Sequence, residues 1–90
     1  MKKQIILKIH GKVQGVFFRD RSQGKARELG LTGSVWNEPD GTVEIVAEGE
    51  EKKLKEFMEW CRNGPEHAKV FKIDARWQEP MDQFENFTVK

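Results

Sequence analysis

The chain has 90 residues, 37% hydrophobic and 34% charged, and its 16 basic side chains almost balance 15 acidic ones, for a net charge of +1. That length predicts one domain over residues 1–90 around one core. The near-neutral balance argues against a broad electrostatic footprint for nucleic acid and leaves room for a local basic site. A lone cysteine, Cys61, excludes an internal disulfide and fits a reducing, cytoplasmic setting. The opening MKKQIILKIH is interrupted at Lys8 with no small-residue cleavage site behind it, which speaks against a signal peptide. No apolar stretch approaches the about 20 residues of a membrane span.

Ile5, Leu7 and Ile9 alternate with Ile6, Lys8 and His10, the period of a strand, which continues to about Val13. Ser22, Ala26 and Leu29 then fall on one helical face within RSQGKARELG, residues 21–30, and Gly30 is a left-handed terminator. GSVWN predicts a short strand, EPDG a turn, and TVEIVAEG a second strand of a hairpin. In it Val43, Ile45 and Ala47 share one side and Glu44, Val46 and Glu48 the other. Residues 50–63 are the clearest helix, with Leu54, Phe57, Met58 and Cys61 at i, i+3, i+4, i+7 and Gly64-Pro65 as the stop. AKVFKIDARW predicts a strand with Phe71, Ile73, Ala75 and Trp77 on one side, and FENFTVK a short closing strand. The order β-α-β-β-α-β plus a small extra strand is the ferredoxin-like split βαβ arrangement, an α+β sandwich. Right-handed crossovers place the first and third strands side by side in the centre, with both helices on one face.

The turn between the first strand and first helix, HGKVQGVFFRD, carries the chemistry of interest. A strand ending there and running into a helix aims main-chain N–H groups into one concavity, where the helix N-terminus adds partial positive charge. Gly15 lets the chain come close to a ligand, and such a nest suits a tetrahedral oxyanion. Arg19 adds a full charge and a planar fork for two phosphate oxygens. The same features also occur in turns that bind nothing, with the arginine paired to a surface acid such as Glu28. Asn37, before the EPDG turn, is an amide that can both accept from and donate to a water, or simply a turn-starting residue.

Three blocks now carry a resemblance. GKVQGVFFR, residues 11–19, resembles the acylphosphatase signature. ARELGLTGSVWNEPDGTVE, residues 26–44, is similar to that family's second segment, and GPEHAKV, residues 64–70, to its third, in the same order and spacing. The resemblance implies a metal-independent, cofactor-free hydrolase that splits the carboxyl–phosphate bond of acyl phosphates into a carboxylate and inorganic phosphate. It implies that Arg19 and the amides of Gln14, Gly15, Val16, Phe17, Phe18 and Arg19 hold the substrate phosphate, and that Asn37 positions the attacking water. Inorganic phosphate is then both product and competitive inhibitor, and the protein a monomer with no nucleic-acid or membrane partner. Ser34, Ser22 and Gly24 depart from the family's usual pattern without touching Arg19 or Asn37.

Other residues have plainer readings. His10 and His67 are too separated for a metal pair. Cys61 lies on an apolar stripe as a core thiol. The three tryptophans are packing residues, and Glu48, Glu50 and Glu51 form a solvated helix start. Lys12, Arg21, Lys25 and Arg27 either draw anions in or are ordinary surface charge. Two other functions fit the same fold: an RNA-binding module, for which no recognition signature is present, and a carbamoyl-phosphate or regulatory unit like those inside hydrogenase-maturation proteins.

Overall fold

The computed structural model describes residues 1–90. Its elements in chain order are β1 (Lys2–Lys12), α1 (Phe18–Glu28), β2 (Thr32–Asn37), β3 (Val43–Glu50), α2 (Glu51–Asn63), β4 (Lys69–Gln78) and β5 (Phe87–Val89). They form one five-stranded sheet in the order β4-β1-β3-β2-β5. As expected, β1 and β3 are neighbours in the middle. All pairings are antiparallel except β2 with β5, which are parallel.

The period-two pattern decides which face is buried. Ile5, Leu7 and Ile9 stand opposite Ala47, Ile45 and Val43, and Val35 extends the row onto β2. These residues are buried and form one core with Phe18 and Ala26 of α1 and with Leu54, Phe57 and Cys61 of α2. Both helices therefore cover the same face. An aromatic group ties the layers together: Phe18 meets Trp60 edge-on at 5.9 Å, and Phe57 meets Phe87 of β5 edge-on at 5.9 Å. Burial pushes the Cys61 thiol well above its usual range, so it stays a neutral core group.

Three local expectations change. The first helix begins at Phe18, three residues ahead of the segment the periodicity marked, because Phe18 buries its ring and anchors the helix start. On β4 the alternation slips. The register shifts between His10 and Gly11, pairing His10 with Lys72 but Gly11 with Val70, so Phe71 is the extra residue of a bulge and is 78% exposed. Glu48 is not part of a solvated helix start. It lies on β3 facing away from the helices, where the segment after β4 crosses the open side of the sheet and buries it. Its carboxylate accepts from the Gln4 side chain at 2.6 Å and from the main-chain N–H groups of Met81 and Asp82 at 2.7 and 3.1 Å. Glu50 and Glu51 keep the expected place at the start of α2, with Glu50 paired to the terminal amine of Met1.

Candidate active site

The turn joining β1 to α1 is bent by two left-handed residues, Gly15 at φ 73° and Phe17 at φ 64°, on either side of Val16. Alternating hands of this kind turn successive N–H groups toward one point, the geometry of an anion nest. At Gly15 the conformation costs nothing. At Phe17 it costs about 1–2 kcal/mol, because a Cβ crowds the following carbonyl. The N–H groups of residues 14–17 meet no main-chain or side-chain acceptor of the protein, and those of Phe18, Arg19 and Asp20 are free as the first turn of α1. Six consecutive N–H groups, from Gln14 through Arg19, are thus available on one bend.

Side chains fix where this bend points. Phe18 is locked in the core, so of the Phe-Phe pair only Phe17 stays outside, at 72% exposure. Gln14 turns away from the nest. Its Nε2 donates to the carbonyls of Glu38 at 2.8 Å and Thr42 at 2.9 Å, tying the bend to the turn between β2 and β3. With Nε2 engaged, the main-chain N–H is the donor that Gln14 has left for an anion. Neither the tie nor the left-handed Phe17 was expected from sequence. The two glycines around Val-Gln were the sole signal of a special bend.

Arg19, the second residue of α1, donates from a terminal guanidinium nitrogen to the Lys90 carbonyl oxygen at 2.9 Å. It forms no ion pair with Glu28 or any other acid; Glu28 instead stands 3.7 Å from Lys25. The strand after Phe87 is held beside Arg19 by Gln23, which donates to the Phe87 carbonyl at 3.0 Å, and by the Lys90 N–H, which donates to Val35 at 2.9 Å. One guanidinium donor is thereby committed to orientation, and the rest of the fork remains for an anion.

Asn37 ends β2. It shares the helix-side parity of Gly33 and Val35 and pairs with Val43. That parity brings it to the mouth of the nest. Gly15, Phe17, Phe18, Arg19 and Asn37 line a common hollow of about 420 Å³, together with Val13, Asp20, Gln23 and Val89. Arg19 is the only cation and Asp20 the only acid among them. The Asn37 Oδ1 is buried and meets no hydrogen-bond donor of the protein. A buried acceptor left without a donor costs about 1–3 kcal/mol, so this oxygen is set to receive a hydrogen bond from something that enters the hollow.

The remaining candidates stand elsewhere. His10 pairs with Asp74 at 2.9 Å on the open side of the sheet, and its hydrogen bond holds the Asp74 carboxyl below the usual range. His67 borders a neighbouring depression with Val16, Arg21, Pro65, Glu66 and the flank of Phe17. No three His, Cys, Asp or Glu side chains cluster at metal-ligand range, and no helix is long and apolar enough to cross a membrane. Trp60 is partly buried against the core, Trp36 is likewise half-buried with its indole N–H on Glu38 at 2.6 Å, and Trp77 is 37% exposed at the sheet edge.

Comparison with known proteins bears on the family and on the fold as a whole. The family model described as acylphosphatase matches residues 5–89. An acylphosphatase of Marinobacter nauticus is 53% identical over 81 residues, covering 90% of this chain and 88% of its own. The crystal structure of the Bacillus subtilis acylphosphatase superposes with a TM-score of 0.94 at 36% identity, covering 98% of both chains. An acylphosphatase structure from Coxiella burnetii gives 0.92 at 38% identity, covering 99% of this chain and 93% of its own.

Proposed function

The chain belongs to the acylphosphatase family, a hydrolase of the carboxyl–phosphate bond, and we propose how its residues divide that work. The nest amides and Arg19 hold the phosphoryl group of an acyl phosphate, and Asn37 holds the water that attacks it. The observation that supports this division is the shared hollow, in which free N–H groups, the one cation and an unpartnered amide oxygen converge.

The substrate is already activated, since its leaving group is a carboxylate of low pKa. Little proton donation is needed to expel it. The barrier lies in placing water in line with phosphorus and in stabilising charge on the equatorial oxygens. Fixed N–H dipoles and the guanidinium meet that charge without reorganising. The Asn37 oxygen accepts from the water and sets its direction, which is a positional contribution, because an amide takes no proton at neutral pH. The water oxygen bonds to phosphorus as the phosphorus–acyl oxygen bond breaks, and the acyl oxygen leaves with the electron pair. The water's proton passes to a phosphate oxygen of the substrate itself. The products are a carboxylate and dihydrogen phosphate, with no metal or cofactor in any step. We take residues 1–90 as one such domain, acting as a cytoplasmic monomer.

Ultraviolet absorbance of benzoyl phosphate follows the reaction directly. The proposal predicts turnover that inorganic phosphate inhibits competitively, since both occupy the nest. Phosphate binding without turnover would identify a binding module instead. Turnover indifferent to phosphate would remove the nest from the mechanism.

A further inference from the structure

We propose that Phe17 is a specificity residue whose ring receives the acyl part of the substrate, selecting aromatic acyl phosphates over short aliphatic ones. The inference rests on the reading of the nest as the phosphate site and extends it to the other half of the molecule. Two independent observations carry it. The first is conformational. The nest demands a left-handed residue at position 17, where glycine is the easiest occupant, yet the position holds a bulky aromatic at φ 64°. The second is exposure. The ring is 72% accessible, so core packing does not account for it. A large apolar side chain in a strained backbone, outside the core, points to a task at the site it borders.

The placement defines that task. The main-chain N–H of residue 17 belongs to the nest, and the residue borders the same hollow as Arg19 and Asn37, with the depression beside His67 on its other flank. Val89 of β5 is also part of that lining and is 39% exposed. A phosphoryl group gripped by Arg19 leaves its acyl end within a hollow that offers one exposed aromatic and one exposed branched aliphatic residue. An aromatic acyl group gains ring–ring contact there, whereas an acetyl group has almost no surface to offer.

The test compares kcat/KM for benzoyl phosphate and acetyl phosphate in the unaltered protein and in Phe17→Ala and Val89→Ser. The reading is the benzoyl-to-acetyl ratio, so general losses from a disturbed bend cancel. A single aromatic contact is worth roughly tenfold. The ratio should therefore fall about five- to tenfold in Phe17→Ala and about two- to threefold in Val89→Ser. Val89→Ser leaves the bend itself intact and so keeps the test valid if Phe17→Ala folds poorly. A ratio unchanged in both variants overturns the proposal, whatever happens to absolute rates. The inhibition constant of inorganic phosphate in the unaltered protein reads the nest separately. If phosphate fails to compete, the phosphate reading is at fault. If it competes and the ratio does not move, only the acyl assignment is.

Discussion

On the proposed division of labour Arg19 has two jobs at once, and its chemistry allows both. One guanidinium nitrogen is spent on the Lys90 carbonyl at 2.9 Å, which stops the side chain from swinging into solvent. The remaining donors keep the planar fork that matches two phosphate oxygens. Arg19→Ala removes charge and fork together. It should lower kcat/KM for benzoyl phosphate by about 10²-fold or more and weaken inhibition by inorganic phosphate in step, as steady-state kinetics with phosphate titration would measure. Phosphate inhibition surviving in that variant would shift the grip wholly onto the amides. Gln14 is the contrasting case. The sequence marks it as part of the phosphate-binding run, but its side chain serves the scaffold by bridging to Glu38 and Thr42. It thereby holds the nest at a set distance from the end of β2, where Asn37 sits.

Among the elements, α1 matters most, because it begins at the nest and carries Arg19. Its middle contains Gly24, an entropic weakness in a helix. A methyl group added there meets no atom within 4 Å. Gly24→Ala should therefore stabilise the fold by about 0.5–1 kcal/mol, seen as a Tm several degrees higher by calorimetry with turnover retained. A lower Tm would mean that the helix is under a constraint its open surface does not reveal. The same comparison shows what was readable from sequence. β1, β3 and α2 follow from periodicity because one face of each is uniformly apolar and the period decides the burial. β4 follows as a strand too, but not in its facing at one end, since its bulge opposite Gly11 moves Phe71 out of the alternation, and a single extra residue leaves no trace in composition. Glu48 was misread for a related reason. An acid beside other acids looks solvated, and only the chain crossing back over the open face supplies the N–H groups that bury it. At the site, Arg19 and Asn37 were singled out by residue type and given their expected roles by resemblance. What placed them in one hollow is strand parity at Asn37 and the early start of α1, neither of which the residue types alone specify.

On the scale of the whole molecule, surface carboxylates are expected to set the acid limit. Hydrogen bonds from the Thr42 hydroxyl and N–H, reinforced by Lys8, hold the Asp40 carboxyl far below its usual range. The His10 hydrogen bond also lowers the Asp74 carboxyl. Both groups bind protons more weakly folded than unfolded. Their contribution is complete above their ordinary value of 3.8 and is lost as the pH falls toward the lower folded values. Glu44, pushed up by burial and by Glu38 beside it, works in the opposite sense, its contribution lost as pH rises through the raised value. With two groups against one, Tm should hold steady from neutrality to about pH 5 and drop below about pH 4. Asp40→Asn should make that drop shallower, and an equally steep drop in the variant would exclude Asp40 as a cause. The central claim, that gripping the phosphoryl group and aiming the water belong to different residues on different elements, is tested most directly by Asn37→Ala. Calorimetric titration with inorganic phosphate, paired with benzoyl phosphate turnover on the same preparation, should give a Kd within about twofold of the unaltered protein while kcat falls by about 10²-fold or more. Turnover kept near its original level, or phosphate affinity lost along with it, would contradict the account.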